Sequence, residues 1–180
     1  MYSVSLFRPV SVGFETVRMA SLSHPKIIFT KNSTYPFEFT NFATLKCFNM
    51  PTVSELKDFA TQVRRDIVRM VNAVNSGHPG GSLGCTEFMT AMYQEILDYS
   101  TDFDMDGKGE DLFFLSNGHI SPVLYSVLAR SGFFPVKELS TFRKINTRLQ
   151  GHPTTHEGLP GVRMSAGSLG QGLSVAIGAA

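Results

Sequence analysis

The chain has 180 residues, 16 basic and 15 acidic side chains, and a net charge of +1. Hydrophobic residues make up 42% of it and the mean hydropathy is +0.01, a composition typical of a globular protein with a packed core. The balanced charge excludes an extensive surface for nucleic acid or an anionic membrane, and two cysteines exclude a disulfide framework. No run approaches the roughly 20 apolar residues that span a bilayer.

Residues 1–49 differ in composition from the remainder. They hold five basic residues against two acidic ones, and seven of the 15 phenylalanines. Three interpretations compete: a targeting peptide, a small appended module, or an atypical leader outside the mature protein, with Met50 as the true start. We favour the third. Neither a secretory apolar core nor an Arg-rich amphipathic face is present, so we expect a cytoplasmic protein whose folded part is residues 50–180.

The first helix is predicted from its capping residues. Thr52 and Glu55 have the spacing of a capping box, in which a hydroxyl and a carboxylate bind free backbone N–H groups. Apolar residues then recur every three or four positions as far as Val74, which predicts a helix with one face in the core. Gly77 stands where a helix commonly ends on a residue with positive φ.

The later elements alternate between helices and one apolar run. Helices are predicted over 86–99 and 122–129, a short one over 137–144, and a small-residue helix over 173–180. The continuous apolar run 112–115 predicts a strand buried on both faces, as in a parallel sheet. The fold class expected is therefore α/β, with a parallel sheet flanked by helices.

Two stretches have partial signatures of metal sites. Loop 102–107 carries acids at the first, third and fifth positions of a calcium-binding loop, but its twelfth position is Phe113, which is no ligand. His152 and His156 have the spacing of a zinc pair, but Pro153 interrupts the helix that would align them. We predict no metal site from either stretch.

Three histidines share a local setting. His78, His119 and His152 each follow a glycine and lie in a predicted turn. Glycine lets the backbone approach a ligand closely, and an imidazole can exchange a proton near neutral pH. Loops at the ends of strands are where α/β proteins place their sites. The repetition predicts a catalytic or ligand-binding pocket.

A glycine-rich segment at 167–172 precedes the last predicted helix. Free N–H groups at the start of a helix can hold a diphosphate, which makes this segment a candidate cradle. It lacks the Lys-Ser/Thr of a P-loop and the glycine order of a dinucleotide-binding turn. A turn that merely allows close packing of the helix is an equally good interpretation.

Four motifs in this order resemble the transketolase family over residues 52–180. They are Ser76-Gly-His-Pro-Gly, Ser116-Asn-Gly-His, Gly151-His-Pro and Gly167-Ser-Leu-Gly-Gln-Gly. The phrase Arg148-Leu-Gln-Gly-His-Pro and the run from Met164 to Gly172 are most similar to the N-terminal subunit of split transketolases. In that form the thiamine-diphosphate-binding half and the pyrimidine-binding half are separate chains.

The resemblance implies a fold and a reaction. The fold would be an incomplete thiamine-diphosphate-binding domain, with a parallel sheet between helices. The reaction would move a two-carbon ketol unit from a ketose phosphate to an aldose phosphate, with thiamine diphosphate as the electron sink. The substrates expected are therefore sugar phosphates.

The resemblance also implies roles for individual residues. His78 and His152 would contact the hydroxyls and carbonyl of the donor sugar and assist proton transfer. His119 would lie beside the diphosphate. The residues that would line the thiazolium and pyrimidine rings are Gly167, Ser168 and Leu169. Many members of the family have proline where Ser168 stands, so any contact made there is expected to come from the backbone.

The family's Mg²⁺ ligands lie in a Gly-Asp-Gly segment and a later asparagine, neither of which occurs here. The glutamate that activates the aminopyrimidine belongs to the pyrimidine-binding half. We therefore expect an inactive fragment on its own, with that half as partner in a homodimer or heterotetramer. The alternatives are dihydroxyacetone synthase, deoxyxylulose-phosphate synthase and an inactive scaffold subunit.

Overall fold

The computed structural model describes residues 50–180, so the predicted leader over 1–49 lies outside the described residues. Five α-helices follow in chain order: α1 Val53–Val74, α2 Pro79–Gly84, α3 Thr86–Ala91, α4 Ser121–Arg130 and α5 Gln171–Ala179. Shorter helical segments are a π-helix, Met92–Ile96, and three 3₁₀ turns, Gly118–Ile120, Val136–Thr141 and Thr155–Glu157. None of the described helices combines the length and apolarity needed to cross a membrane.

The start of α1 confirms the predicted capping box. The Glu55 N–H donates to the Thr52 hydroxyl at 3.2 Å, and the Thr52 N–H donates to the Glu55 carboxylate at 2.7 Å. The prediction that α1 ends on Gly77 was wrong. The left-handed residue that ends α1 is Asn75, with φ of 47°, because asparagine tolerates this conformation better than other side chains do. Gly77 follows two residues later with φ of 135°.

The core forms where α1 packs on α4. Val63, Ile67 and Met70 of α1 are buried, and α4 is buried along nearly its whole length. One charged group lies in this contact: Asp66, 5% exposed, accepts from Arg130 Nε at 2.6 Å and from the hydroxyl of Ser126 at 3.0 Å. A buried carboxylate with an ion-pair partner and a hydrogen bond fixes how the two helices align.

The strand predicted at 112–115 is absent from the described part of the chain, where no strand of any kind occurs. Leu115 is buried and the three residues before it are half-buried. A strand needs backbone partners on a neighbouring strand, and residues 50–180 provide none. The described residues therefore give the helical layer of the expected α/β architecture without a sheet.

The helix boundaries also differ from prediction in places. The helix expected over 86–99 is α3, which continues as the π-helix and ends at Ile96. The segment expected as a helix over 137–144 is a 3₁₀ turn, and α5 begins two residues earlier than predicted. Helix α2 was missed, because Pro79, Gly80 and Gly81 have the composition of a turn.

The acidic loop 102–107 is organised by an arginine. Arg163 donates from Nη1 to the carbonyl groups of Asp104 and Met105, the latter at 2.9 Å, and pairs with Glu110 at 2.9 Å. Among the described residues no group of three or more His, Cys, Asp or Glu side chains is placed to hold a metal ion. The loop is thus held by the guanidinium of Arg163.

Candidate functional site

The three histidines in glycine turns lie together. The ring centroids of His78 and His119 are 4.9 Å apart, and those of His119 and His152 are 4.7 Å apart, both edge to face. His78 immediately precedes α2, and His119 lies in the 3₁₀ turn that leads into α4. Three segments separated by more than 30 residues each thus place an imidazole at one point, with His119 in the middle.

Helix α4 positions the loop that carries His152. The Ser121 hydroxyl donates to the Gly151 carbonyl at 2.7 Å, and the Tyr125 hydroxyl donates to the Gln150 carbonyl at 2.9 Å. Burial raises the pKa of Tyr125, which keeps its phenol protonated as a donor. Both bonds hold the backbone immediately before His152, so the position of the imidazole depends on a rigid helix.

The glycine-rich segment begins against the same histidine. The Ala166 N–H donates to the Pro153 carbonyl at 2.9 Å, and a methyl group placed on Gly167 would lie 3.5 Å from Cδ2 of His152. A methyl group on Gly118 would lie only 2.8 Å from the carbonyl carbon of Ala166 and from the nitrogen of Gly167. Glycine at position 118 is therefore what allows the His119 turn and the glycine-rich segment to meet.

The rest of that segment leads into α5. The Gly172 N–H donates to the Ser116 hydroxyl at 3.2 Å, and a methyl group on Gly172 would lie 2.6 Å from Cα of Ser116. Ser168 and Leu169 are exposed, Leu169 by 67%. The structure thus brings Gly167 into contact with the histidine cluster, whereas the next two residues present themselves to solvent.

The electrostatics of the cluster favour a neutral His152. Its burial, together with the neighbouring basic groups of His119, Arg143 and His78, lowers the pKa of His152 below the ordinary value of 6.5. A neutral imidazole has one nitrogen that donates and one that accepts, which suits proton exchange with a hydroxyl group. Within residues 50–180, Nδ1 of His119 and Nε2 of His152 are buried without a hydrogen-bond partner.

Arg143 borders this cluster and was not predicted as part of it. Its Nη1 donates to the Ser76 hydroxyl at 2.7 Å, and its guanidinium lies against the backbone of Gly151. The sequence places Arg143 within a predicted short helix, among other basic residues, and nothing in its spacing distinguishes it. Ser121 and Tyr125 were missed for a similar reason, since α4 looks like an ordinary apolar helix.

His156 does not join the cluster. It lies in the 3₁₀ turn Thr155–Glu157 and is exposed. Its backbone N–H donates to the Thr154 hydroxyl at 3.3 Å. The spacing of His152 and His156 thus corresponds to no common site in the structure.

Comparison with known proteins identifies the class to which this arrangement belongs. The family model described as transketolase, thiamine diphosphate binding domain, matches residues 56–180. This is more than half of the chain, and it includes all four motifs and the histidine cluster. The chain belongs to the transketolase family, which confirms the resemblance noted in its sequence.

Individual proteins similar to this chain are also named transketolases. The transketolase of Pongo abelii is 39% identical over 125 residues, and that of Escherichia coli named transketolase 2 is 38% identical over the same length. These matches cover 69% of this chain but only 20% and 18% of the relatives. One of the subunits of the apulose-4-phosphate transketolase of Actinobacillus succinogenes is 35% identical over 127 residues, covering 70% of this chain and 45% of the relative.

Solved structures give the same result. A transketolase from Pichia stipitis, crystallised with sedoheptulose 7-phosphate, superposes with a TM-score of 0.64 at 33% identity, covering 68% of this chain and 18% of that one. The transketolase of Campylobacter jejuni gives a TM-score of 0.64 at 29% identity, covering 71% and 20%. The chain thus spans about a fifth of the length of these structures and corresponds to part of the cofactor-binding domain.

Proposed function

We propose that this chain is part of a transketolase, which transfers a two-carbon ketol unit between sugar phosphates with thiamine diphosphate as cofactor. The observation that carries the proposal is the meeting of His78, His119 and His152 beside Gly167. Three imidazoles brought together with two buried ring nitrogens unpaired suit a ligand-binding site, since each such nitrogen costs about 1–3 kcal/mol until a partner satisfies it.

The described residues offer groups that suit thiamine diphosphate. Nδ1 of His119 is buried without a protein partner, and a diphosphate oxygen that displaces the groups covering it would satisfy it. Gly167 leaves the backbone open beside His152, and the exposed side chain of Leu169 is apolar surface that an aromatic ring would cover. When bound, the cofactor supplies the electron sink for the two-carbon unit. Ser168 lies between these two residues and would contribute its backbone.

His78 and His152 are proposed to serve the donor sugar. Nε2 of His152 is unpaired, and the lowered pKa of this imidazole leaves it uncharged at neutral pH. In that state it can accept a proton from a sugar hydroxyl or donate one to a carbonyl oxygen. His78 lies on the other side of His119 and is the more exposed, which suits a group that orients the hydroxyls of an entering ketose.

Further elements of the proposal concern the assembled enzyme. Residues 50–180 would be the N-terminal portion of an α/β domain whose parallel sheet is formed with other segments of the domain. Mg²⁺ would be bound by residues other than those described, and the pyrimidine-binding half would be the partner in a homodimer or heterotetramer. We propose the cytoplasm as its location.

A chimera tests the proposed function. In Escherichia coli transketolase 2, the 125 matched residues are replaced by the corresponding residues of this chain, and ketol transfer between sugar phosphates is measured. We expect transfer that depends on thiamine diphosphate and Mg²⁺. His152→Ala in this chimera should lower turnover by roughly 10²–10⁴, the usual contribution of a general acid or base.

His156→Ala is the matched control, because this histidine is exposed and lies outside the cluster. It should leave turnover within about twofold of the parent, as for an ordinary surface substitution. A chimera that binds the cofactor and assembles but transfers nothing would instead support the inactive scaffold. Equal turnover with and without His152 would remove that residue from the site.

A further inference from the structure

Arg143 has an unusual backbone conformation for its residue type. Its φ is 55°, in the left-handed region that side chains with a Cβ rarely adopt. Such a conformation persists only where the surrounding structure compensates for the strain, and it is concentrated at functional sites. Its N–H donates to the Leu149 carbonyl at 2.9 Å, so the turn closes onto the segment leading to His152.

The side chain of Arg143 joins two of the histidine turns. Nη1 donates to the hydroxyl of Ser76, two residues before His78, at 2.7 Å. A methyl group on Gly151, one residue before His152, would lie 2.8 Å from Cζ of Arg143, so the guanidinium rests directly on that backbone.

We propose that Arg143 is a positioning residue that fixes the turn before His78 relative to the turn before His152. This proposal rests on the proposed function, in which both histidines serve the donor sugar. Arginine suits this task better than lysine, because its rigid planar group can donate to Ser76 while its face lies against Gly151. The absence of a side chain at position 151 is the matching requirement, since any Cβ there would displace the guanidinium.

The charge of Arg143 has a second effect on the site. The basic groups near the His152 ring are His119, Arg143 and His78, and each adds to the effect of burial in lowering the pKa of His152. A positioning residue that is also a cation therefore helps to keep His152 neutral. Replacing it with an uncharged residue should raise that pKa toward its ordinary value.

The experiment measures the imidazole pKa of His152 and the amide exchange of Ser76 by NMR in the full chain, without cofactor or substrate. The Ser76 N–H donates to the Val71 carbonyl at 3.3 Å, so its exchange reports opening of that turn. The variants are Arg143→Met, Arg143→Lys and Arg143→Gly, of which the glycine variant also relieves the backbone strain. Arg65→Met is the control, because Arg65 is exposed.

Arg143→Met and Arg143→Gly should both raise the pKa of His152 and accelerate Ser76 exchange by about tenfold, as expected for losing a hydrogen bond from a charged donor. Arg143→Lys keeps the charge and should keep the pKa low. Arg65→Met should change neither value. If Arg143→Met does not fold, the glycine variant decides the question.

Unchanged Ser76 exchange in Arg143→Gly would overturn the proposal, whether or not the His152 pKa rises. A rise of the His152 pKa in Arg143→Lys equal to that in Arg143→Met would refute the effect assigned to the charge. Neither measurement involves ketol transfer, so a failure of the positioning role is distinguishable from a failure of the proposed function. An inactive chimera with the expected NMR changes would leave Arg143 as a positioning residue in a site of another function.

Discussion

Substitution of Gly118 by alanine tests whether backbone contact brings the site together. The added methyl group would lie 2.8 Å from the Ala166 carbonyl carbon and the Gly167 nitrogen. Ordinary carbon contacts begin near 3.5 Å, so the two segments must separate by about 0.7 Å. Both obstructing atoms belong to the backbone and have no rotamer that could relieve the contact. Such overpacking costs about 1–3 kcal/mol.

The loss of unfolded-state entropy offsets part of this cost, because Gly-to-Ala substitution by itself stabilises by about 0.4–1 kcal/mol. We therefore expect Gly118→Ala to lower the free energy of unfolding by about 1–2 kcal/mol. With a urea dependence of about 1–3 kcal/mol/M, the midpoint should fall by roughly 0.3–2 M. The chain has no tryptophan, so helical circular dichroism is the suitable signal.

Gly80→Ala is the matched control. Gly80 lies in α2, and a methyl group added there would meet no atom within 4 Å. This variant should be more stable than the parent by about 0.4–1 kcal/mol. If Gly118→Ala is as stable as Gly80→Ala, the close approach of the His119 turn to the glycine-rich segment is not a packed contact, and the reasoning fails.

Two further predictions concern buried charge. Arg130→Met should lower the free energy of unfolding by about 3 kcal/mol in urea titrations, because the carboxylate of Asp66 would keep only the Ser126 hydroxyl and the exposed Arg69, at 3.6 Å; a loss no larger than that of Arg65→Met would show that the pair is not stabilising. The pKa of His152 is lower in the folded protein than in the unfolded chain, so this residue contributes stability that is fully present above pH 6.5. The contribution is lost as the pH falls through the pKa of the folded state. His152→Gln should therefore flatten the decline in stability below pH 6.5, and an unaltered decline would contradict the lowered pKa.

The parts of the fold that were predictable depend on residues close in sequence. The capping box of Thr52 and Glu55 acts over three residues, and the observed helix α1 begins where it predicts. Pro122 in the first turn of α4 likewise indicated the start of that helix. The strand at 112–115 failed as a prediction, because a strand forms only against a partner that local sequence does not specify.

The candidate site likewise has residues that the sequence indicated and residues that only the structure showed. The repeated Gly-His pattern and the order of the motifs indicated His78, His119 and His152, and the family comparison agrees with the resemblance those motifs carried. Ser121 and Tyr125 could not be found this way, because their importance comes from hydrogen bonds between remote residues. Ser121 donates to Gly151, 30 residues away, and Tyr125 donates to Gln150, 25 residues away.

By itself, the sequence determined which residue types could take part: three imidazoles on glycine turns, and a glycine-rich segment before a helix. Tertiary structure alone decided that the imidazoles meet within 5 Å, that Arg143 lies between two of their turns, and that His152 is less basic than an ordinary histidine. The physical reason is range. Caps and turns are governed by hydrogen bonds between residues a few positions apart in sequence. Contacts between imidazole rings and shifts in their pKa values depend on distances that only the packing of remote segments establishes.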